Sequence, residues 1–399
     1  MRFEVLDAWR GLCALLVALL HLQVLGHFYD WPLVRHGFLF VDFFFVLSGF
    51  VITHAYQPRI ARGADLAAFM LRRFGRLWPL HAAVLLALVA IEGTKAAAIG
   101  WYGRPVLDPP FAGAYAPETI LPNLLLLHGL GFADTETWNG PSWSISTEFF
   151  TYLVFAVLVL GLGRRVTVAA PVIVAASVAT VAAFAPAYMA TSIEWGFFRC
   201  LASFFAGHLV YRLFRSGPER LPGAGLWEAA VVIAVAMFVS MAGMGPLSLI
   251  APLVFGFAVW VFAFEGGPVS RLLLGRGFQA LGRWSYGIYM LHTLVLVIFG
   301  RGIHLVEKLA GFDLETTRTY DGFTFRVFTF GSPWTMDLVA LAYLGAVVLI
   351  AALAYRLIEV PGRRGFNRLA LRLSPVRSPA PRPAVAIARE RAERRDRVV

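Results

Sequence analysis

Two ionisable side chains, Arg10 and His21, lie in the first apolar stretch of the sequence. If this stretch is a helix, steps of about 100° and 1.5 Å per residue bring both side chains to within roughly 20° of one face, roughly 16 Å apart. Asp7 lies one turn before Arg10 on that face. Charged groups in an apolar helix are costly and usually face a bundle interior or a wet cavity that serves a function.

An imidazole in such a place is suited to proton transfer, and a guanidinium is suited to binding an anion. Ala14 and Ala18 lie between Arg10 and His21 on the same face. Side chains this small predict room for a long, thin ligand along the helix. The alternative is that Arg10 anchors the helix at the membrane interface and that His21 is an ordinary hydrogen-bonded core residue.

The composition indicates an integral membrane protein. The 399 residues are 59% hydrophobic and 15% charged, with a mean hydropathy of +0.70, whereas soluble domains carry about 25% charged residues. Several apolar runs approach the roughly 20 residues that a helix needs to cross a bilayer. Lipid cannot satisfy backbone polar groups, so the predicted fold class is an all-α, polytopic bundle.

We predict about ten transmembrane helices. The predicted spans are 6–25, 38–56, 74–91, 143–162, 166–185, 195–214, 226–244, 247–264, 284–303 and 336–356. An even number puts both termini on one side, and the connections on that side carry most of the arginines, which predicts cytoplasmic termini. Between the spans, residues 120–130 are apolar but too few to cross the membrane and are predicted to form a re-entrant or interfacial helix. Residues 320–330 alternate between apolar and polar side chains, which predicts a small hairpin.

The net charge of +11 is concentrated near the C-terminus. Residues 1–358 are predicted to form the membrane-embedded domain, and residues 359–399 a basic, disordered cytoplasmic tail near anionic lipid. This placement argues against nucleic-acid binding. The first helix is expected to remain in the mature protein, because no signal-peptide cleavage site follows it. The cysteines, Cys13 and Cys200, lie in apolar spans, and no metal-ligand spacing is present, so no metal is expected.

The second apolar span combines a carboxylate with small residues. Asp42 lies near its outer boundary, and Ser48 and Gly49 follow about one and a half turns later. A Ser-Gly pair in an apolar helix is typical of close helix packing. Such packing is predicted to bring this helix against the ionisable face of the first.

Six short blocks occur in order along the apolar bundle. They are Arg10 with His21, 41–50 (VDFFFVLSGF), 72–79 (RRFGRLWP), 143–148 (WSISTE), 285–292 (SYGIYMLH) and 358–361 (IEVP). Together they make the chain resemble acyltransferase family 3 over nearly the whole bundle. Two departures from the family pattern are Gly287, which bears on local packing, and Thr147, which bears on acceptor choice.

The resemblance implies a membrane O-acyltransferase. Members of the family move an acyl group, commonly acetyl, from cytoplasmic acyl-CoA to a hydroxyl of a surface polysaccharide, a lipid-linked sugar or a secondary metabolite. The expected location is a bacterial inner membrane, and the expected partners are acyl-CoA, membrane lipid and a carbohydrate acceptor. Some members carry an additional hydrolase-like domain, which is not found after this bundle, so a separate extracytoplasmic transferase is a further expected partner.

A cluster of arginines is suited to the polyanionic headgroup of coenzyme A. Arg73 and Arg76 lie one turn apart before the third span, and Arg72 is adjacent. Guanidinium groups bind phosphate through charge-assisted, often bidentate hydrogen bonds. We predict that these three arginines and Arg10 bind acyl-CoA from the cytoplasmic side. The alternative, strongest for Arg72, is a topology signal.

His21 is the predicted catalytic residue, either as general base toward the acceptor hydroxyl or as a transient acyl acceptor. An imidazole in either role needs a group that orients it. Glu148, near the outer end of the fourth span, and Asp42 are both candidates, and the sequence does not rank them. The alternatives are water access at the interface for Glu148 and pairing with an arginine for Asp42.

Five further side chains in or beside the spans are candidate substrate-binding residues. They are Trp143, Ser144, Ser146, Tyr286 and His292. The alternative for each is an interhelical hydrogen bond, the usual role of polar groups in membrane helices. A different class of function, a transporter or flippase of a lipid-linked glycan, favours inverted repeats around a midplane site, and the sequence shows no such symmetry.

Overall fold

The computed structural model describes residues 2–102, 109–311, 313–320 and 322–374, which are almost entirely helical. The helices are α1 (Glu4–His21), α2 (His27–Asp30), α3 (Pro32–Arg35), α4 (Phe40–Tyr56), α5 (Gly63–Tyr102), α6 (Ile120–Leu124), α7 (Trp143–Leu162), α8 (Val166–Phe184), α9 (Gly196–Ser216), α10 (Ala224–Ala242), α11 (Ala251–Phe262), α12 (Pro268–Leu273), α13 (Arg276–Ala310), α14 (Pro333–Ala354) and α15 (Val360–Leu373). A π-helical turn, Tyr355–Glu359, joins α14 to α15, and the strands are β1 (Glu315–Tyr320) and β2 (Phe323–Phe328).

Six stretches of the described residues are long and apolar enough to cross a membrane, which supports the predicted helical membrane class. They are Gly37–Arg59, Gly63–Trp101, Gly140–Phe184, Ala224–Ala242, Arg276–Leu309 and Pro333–Leu373. One of them contains both α7 and α8, which are separated at Gly163, where φ is +57°. Each predicted span lies mainly within one helix. The count of ten spans and the orientation of the termini stay predictions.

Glycines let α4 and α9 pack backbone to backbone. A Cβ atom at Gly49 would lie 1.9 Å from the carbonyl oxygen of Phe204, and one at Gly207 would lie 1.9 Å from that of Val46. No side chain fits at either position without movement of a helix. The predicted close packing is therefore confirmed at Gly49, but the helix that approaches it is α9 and not α1.

The helices α1 and α13 meet at a similar glycine crossing. A Cβ atom at Gly11 would lie 2.6 Å from the carbonyl carbon of Leu281, and one at Gly282 would lie 2.5 Å from the carbonyl oxygen of Asp7. Because neither position accepts a side chain, the two helices cross at one fixed point. Side chains along α1 consequently keep fixed neighbours on α13.

A small β-hairpin is attached to the chain that leaves α1. β1 and β2 pair antiparallel, with Glu315 opposite Phe328. The amide of Phe328 donates to the carbonyl of Gln23 (2.9 Å), and the amide of Leu25 donates to the carbonyl of Phe328 (2.8 Å). The hairpin predicted over 320–330 is confirmed, and its first strand begins earlier in the chain. The segment after His21 is thus joined to β2 by an isolated parallel bridge between Val24 and Phe328.

The apolar piece predicted over 120–130 forms the short helix α6 and a loop that hydrogen-bonds to α5. The indole nitrogen of Trp78 donates to the carbonyl of Leu124 (2.8 Å), and Nε2 of His81 donates to the carbonyl of Asn123 (2.9 Å). Irregular backbone can lie within a membrane protein where protein groups supply the hydrogen bonds that lipid lacks. Its predicted re-entrant or interfacial location is not tested by these contacts.

The C-terminal segment is ordered further than the sequence predicts. α15 packs against α5, where the ring of Phe366 lies 5.4 Å from that of Phe74 and Ser374 donates to Asp65 (2.6 Å). The predicted start of a disordered tail at residue 359 therefore requires correction. Arginines alternate here with apolar residues at helical spacing, so one face of the helix can pack. Residues 375–399 lie outside the described part of the chain.

We expect Gly49→Ala to destabilise the protein by about 1–3 kcal/mol, because the new methyl group overpacks the contact with α9. Thermal unfolding of the purified protein in detergent should show a lower melting temperature. Gly345→Ala is the matched control, since a Cβ atom at this position of α14 meets nothing within 4 Å. Equal melting temperatures for the two variants would contradict the assigned packing.

Candidate functional site

A cavity of about 430 Å³ lies among α1, α4, α5, α7, α13 and the junction of α14 with α15. Its wall contains six arginines and three carboxylates, so the cavity carries a net positive charge. The predicted site residues in the wall are Arg10, Arg73, Arg76, Ser144, Glu148 and Tyr286. The predicted site residues outside the wall are His21, Asp42, Arg72, Trp143, Ser146 and His292.

Arg10 is held in position by α13. Its Nε donates to the hydroxyl of Ser285 (2.7 Å), and its Nη2 donates to the carbonyl of Gly282 (3.0 Å). The carboxylate of Asp7 lies 3.1 Å from Nη2 and provides a nearby counter-charge. These contacts orient the guanidinium in the cavity wall without a ligand, which lowers the entropy cost of binding an anion there.

Two further arginines of the wall come from α5. Nη2 of Arg73 donates to the hydroxyl of Tyr56 (3.0 Å), and the guanidinium lies 5.0 Å from the centre of that ring. Its Nε is buried and has no partner among the described residues. Arg76 interacts electrostatically with Glu148 and Glu359. Guanidinium donors that face a positively charged cavity can bind a phosphate or carboxylate group.

Glu148 belongs to a hydrogen-bonded chain beside the arginines. The hydroxyl of Tyr152 donates to Oε1 of Glu148 (2.6 Å), and the hydroxyl of Ser48 lies 2.8 Å from the same tyrosine oxygen. Because the tyrosine proton points to the carboxylate, Ser48 is the donor of the second bond. In the described structure Glu148 makes no contact with His21, so the predicted direct orientation of the imidazole by this carboxylate is not observed.

The hydroxyl groups of Ser144 on α7 and Tyr289 on α13 lie close together. Ser144 Oγ and Tyr289 Oη are 2.8 Å apart, and they lie 2.9 Å and 3.0 Å from the carbonyl oxygen of Pro141. Both residues line the cavity. If the hydroxyl hydrogens rotate away from the carbonyl of Pro141, both groups can donate to an oxyanion in the cavity.

His21 is the last residue of α1, and its geometry fixes its tautomer. Nδ1 lies 2.8 Å from the carbonyl oxygen of Val17. A carbonyl only accepts hydrogen bonds, so Nδ1 carries the hydrogen and Nε2 of the neutral ring keeps its lone pair. A general base and an acyl acceptor both need this lone pair.

His292 lies between His21 and the cavity. Its ring is 4.8 Å from the ring of His21 and 5.9 Å from that of Tyr289, which lines the cavity. His292 is fully buried, and neither of its ring nitrogens has a partner in the described part of the chain. Buried polar atoms are nearly always paired. A ring nitrogen without a partner beside His21 is available to a polar group of a ligand.

The slot predicted along α1 is not present. Ala14 and Ala18 have no exposed surface, and neither lines the cavity. Small side chains allow close approach of neighbouring helices, and they serve that purpose here. His21 lies outside the cavity wall and contacts His292, whose ring in turn contacts that of Tyr289 in the wall.

Asp42 pairs with an arginine, which was one of the two arrangements that the sequence left open. Arg199 Nη2 lies 2.7 Å from its carboxylate, Arg199 Nε lies 3.1 Å and 3.2 Å from its two oxygens, and Ser203 donates at 2.8 Å. Asp42 is fully buried and Arg199 is 2% exposed. The structure does not bring Asp42 to His21. Opposite charges within two apolar spans were the sequence signal for this pair.

Trp143 and Ser146 contact protein groups outside the cavity. The guanidinium of Arg199 lies 5.5 Å from the centre of the Trp143 ring. Ser146 donates to the carbonyl of Leu126 and accepts from the amide of Gly129 (3.0 Å). Both arrangements match the packing role that was the alternative for these residues.

Polar wall residues that were not among the predicted site residues include Tyr152, Tyr289, Glu359 and Arg363. The position of Tyr152 one turn after Glu148 on α7 was a usable signal, because side chains at that spacing share a face. Tyr289 lies within the quoted block 285–292. In the described residues, no group of three or more His, Cys, Asp or Glu side chains could hold a metal ion.

Comparison with known proteins shows the family to which this chain belongs. Residues 3–356 match the sequence profile of the acyltransferase domain of family 3. The chain belongs to this acyltransferase family. The protein is therefore an enzyme that transfers acyl groups, and the family resemblance seen in the six sequence blocks is confirmed.

Three relatives of the acyltransferase illustrate the range of similarity. Acyltransferase MdmB of Streptomyces mycarofaciens is 26% identical over 374 residues, which are 88% of this chain and 84% of MdmB. "Protein 2 in picA locus" of Rhizobium radiobacter is 34% identical over 166 residues, 39% of this chain and 81% of that protein. "Putative peptidoglycan O-acetyltransferase YrhL" of Bacillus subtilis is 25% identical over 326 residues, 73% of this chain and 48% of YrhL. No solved structure is significantly similar.

We expect Asp42→Ala to reduce the amount of folded acyltransferase, because it leaves the Arg199 charge buried without a partner, at a cost of about 3–5 kcal/mol. Membrane yield and the melting temperature in detergent are the measurements. The double variant Asp42→Leu, Arg199→Met is the control and should recover most of the loss, since both charges are removed. A normal melting temperature together with lost transferase activity for Asp42→Ala would instead support a catalytic role.

Proposed function

We propose that the acyltransferase moves an acyl group, commonly acetyl, from cytoplasmic acyl-CoA to a hydroxyl of a cell-surface or lipid-linked carbohydrate. One observation carries the proposal. A single cavity has Arg10, Arg73 and Arg76 in its wall and reaches Tyr289, behind which the His292 and His21 rings follow. An anion-binding region and a nearby imidazole are what transfer from a polyanionic thioester requires.

The arginine side of the cavity suits the donor. Coenzyme A carries several phosphate charges, and guanidinium groups bind phosphate bidentately. Arg10 is already oriented by its two bonds to α13. With the phosphates at the arginines, the pantetheine arm would extend past Glu148 toward Ser144 and Tyr289, which lie in the same wall.

In the proposed reaction, Nε2 of His21 takes the proton of the acceptor hydroxyl while its oxygen attacks the thioester carbonyl carbon. The hydroxyls of Ser144 and Tyr289 stabilise the tetrahedral oxyanion. The carbon–sulfur bond then breaks, and the imidazolium returns the proton to the leaving thiolate. In the alternative, Nε2 itself attacks the thioester and holds the acyl group until the acceptor arrives. His292 lies between His21 and the cavity-lining Tyr289. It therefore has to relay the proton or move when His21 is the general base, and it has to move when Nε2 attacks the thioester directly.

The proposal includes a topology of ten spans in a bacterial inner membrane, with both termini in the cytoplasm. The excess of arginines on the terminal side supports it. In this orientation the arginines meet cytoplasmic acyl-CoA. The hairpin that pairs with the segment after His21 then lies on the outer side, where a surface or lipid-linked acceptor arrives.

A carbohydrate acceptor is supported by the name of YrhL, which refers to peptidoglycan O-acetylation. A secondary metabolite is the alternative acceptor. The chain spans about half of the length of YrhL. A separate extracytoplasmic transferase is proposed as a partner for acceptors beyond the membrane. Membership of an acyltransferase family argues against the transporter or flippase alternative.

His21→Ala should lower transfer of label from labelled acetyl-CoA to membrane glycan or lipid by about a hundredfold or more, since a general base contributes about 10²–10⁴-fold. His304→Ala is the control, because its ring is 64% exposed and pairs with Glu307. It should label as the wild type does. Equal labelling by all three proteins would remove His21 from the mechanism.

Arg76→Ala should raise KM for acetyl-CoA about tenfold or more, as expected for loss of a hydrogen bond to a charged group. kcat should change little, because a phosphate contact is equally strong in the ground and transition states. Arg164→Ala, which removes an exposed arginine from the turn between α7 and α8, is the control for charge. An unchanged KM for Arg76→Ala would contradict the donor site.

A further inference from the structure

The junction between α14 and α15 contributes to the cavity wall, and two of its wall residues, Glu359 and Arg363, lie in the segment that the sequence predicted as a disordered tail. The π-helical turn of this junction, Tyr355–Glu359, has i→i+5 hydrogen bonds in place of the i→i+4 bonds of an α-helix. Tyr355, Glu359 and Arg363, spaced four residues apart on either side of this turn, all line the cavity. π-helical turns of this kind often occur at functional sites.

Close packing fixes the junction against the arginine-bearing part of α5. A Cβ atom at Gly362 would lie 2.6 Å from the ring of Pro79, and one at Gly75 would lie 2.2 Å from Cβ of Phe366. Gly75 is next to Arg76 in the sequence. α15 is therefore packed tightly against the segment of α5 that carries Arg76, and Arg76 and Arg363 both line the cavity.

Glu359 is a half-buried carboxylate with an unused acceptor. Its Oε1 is buried and has no hydrogen-bond partner among the described residues. A Cβ atom at Gly287 would lie 3.1 Å from this oxygen, so the glycine makes room for the carboxylate. Glu359 interacts electrostatically with Arg76, Arg363 and Arg10. It is thus a counter-charge shared by three arginines of the cavity wall.

We infer that α15 completes the donor site: Arg363 binds a phosphate of the acyl-CoA headgroup, and Glu359 is a positioning residue that holds Arg76 and Arg363 toward the cavity. The inference rests on the proposed function, because it assigns residues to the same donor. Six arginines in one wall repel each other, and three carboxylates reduce that repulsion while leaving the wall positively charged. A counter-charge behind the guanidinium groups leaves their other donors free for phosphate.

Arg363→Ala is expected to raise KM for acetyl-CoA, and the dissociation constant for free coenzyme A, by about ten- to a hundredfold. Arg364→Ala is the matched control, since Arg364 is the adjacent residue, carries the same charge and is exposed outside the cavity wall. S-acetylpantetheine, a donor without the nucleotide phosphates, should react equally with wild type and Arg363→Ala. Equal KM values of Arg363→Ala and Arg364→Ala for acetyl-CoA overturn the assignment.

Glu359→Gln keeps the shape of the side chain and removes its charge. If Glu359 positions the arginines, this variant raises KM for acetyl-CoA, and the increase is absent in an Arg76→Ala, Arg363→Ala background. If the carboxylate merely repels the phosphates, Glu359→Gln lowers KM, and that result overturns the positioning role. Melting temperatures in detergent accompany each variant, and Arg363→Lys, which keeps the charge, should recover part of the affinity.

Coenzyme A binding by purified wild-type protein separates this inference from the proposed function. A wild type that neither binds coenzyme A nor transfers the acetyl group overturns both. Suppose instead that the wild type binds coenzyme A and transfers the acetyl group. If Arg363→Ala then equals Arg364→Ala in coenzyme A binding and in KM for acetyl-CoA, only the role of α15 is overturned. Weaker coenzyme A binding by Arg363→Ala at an unchanged melting temperature supports it.

Discussion

The glycine crossing of α1 and α13 is the contact on which the candidate site depends. Neither Gly11 nor Gly282 has room for a side chain, so the two helices can pack in one register. Arg10 reinforces that register through its bond to the carbonyl of Gly282. The crossing therefore sets the position of Arg10 in the cavity wall and, further along the same two helices, the contact between the rings of His21 and His292. A shift by one residue would separate these rings.

Buried charges in the bundle divide into two kinds according to their surroundings. The charges of Asp42 and Arg199 are paired with each other and hydrogen-bonded to neighbouring groups. Such a pair holds helices together and leaves no hydrogen-bonding group free for a ligand. Glu148 and Arg76 instead face a cavity in which positive charge is in excess. The second kind is suited to a polyanionic donor because ligand phosphates can replace water as partners of the guanidinium groups.

Ideal helix geometry was enough to predict that Arg10 and His21 share one side of α1, and arginine spacing was enough to place Arg73 and Arg76 together. Neither helix geometry nor arginine spacing was enough to predict where the cavity runs between the arginines and His21. Which face of α1 packs against α13 depends on contacts with residues some 270 positions away, and local periodicity carries no information about them. The cavity consequently passes along α5, α7 and α13, and the small residues of α1 are used for packing.

By itself the sequence determined the membrane class, the family and the residue types of the site, because hydropathy, charge placement and short motifs are local properties. Tertiary structure alone decided three further points: that Asp42 pairs with Arg199, that Glu148 lies beside the arginines and not beside His21, and that α15 forms part of the cavity wall. Each depends on which side chains from distant segments meet. Buried charges and unpaired backbone groups are satisfied by whatever partner the assembled bundle places within hydrogen-bonding distance, and no segment specifies that partner on its own.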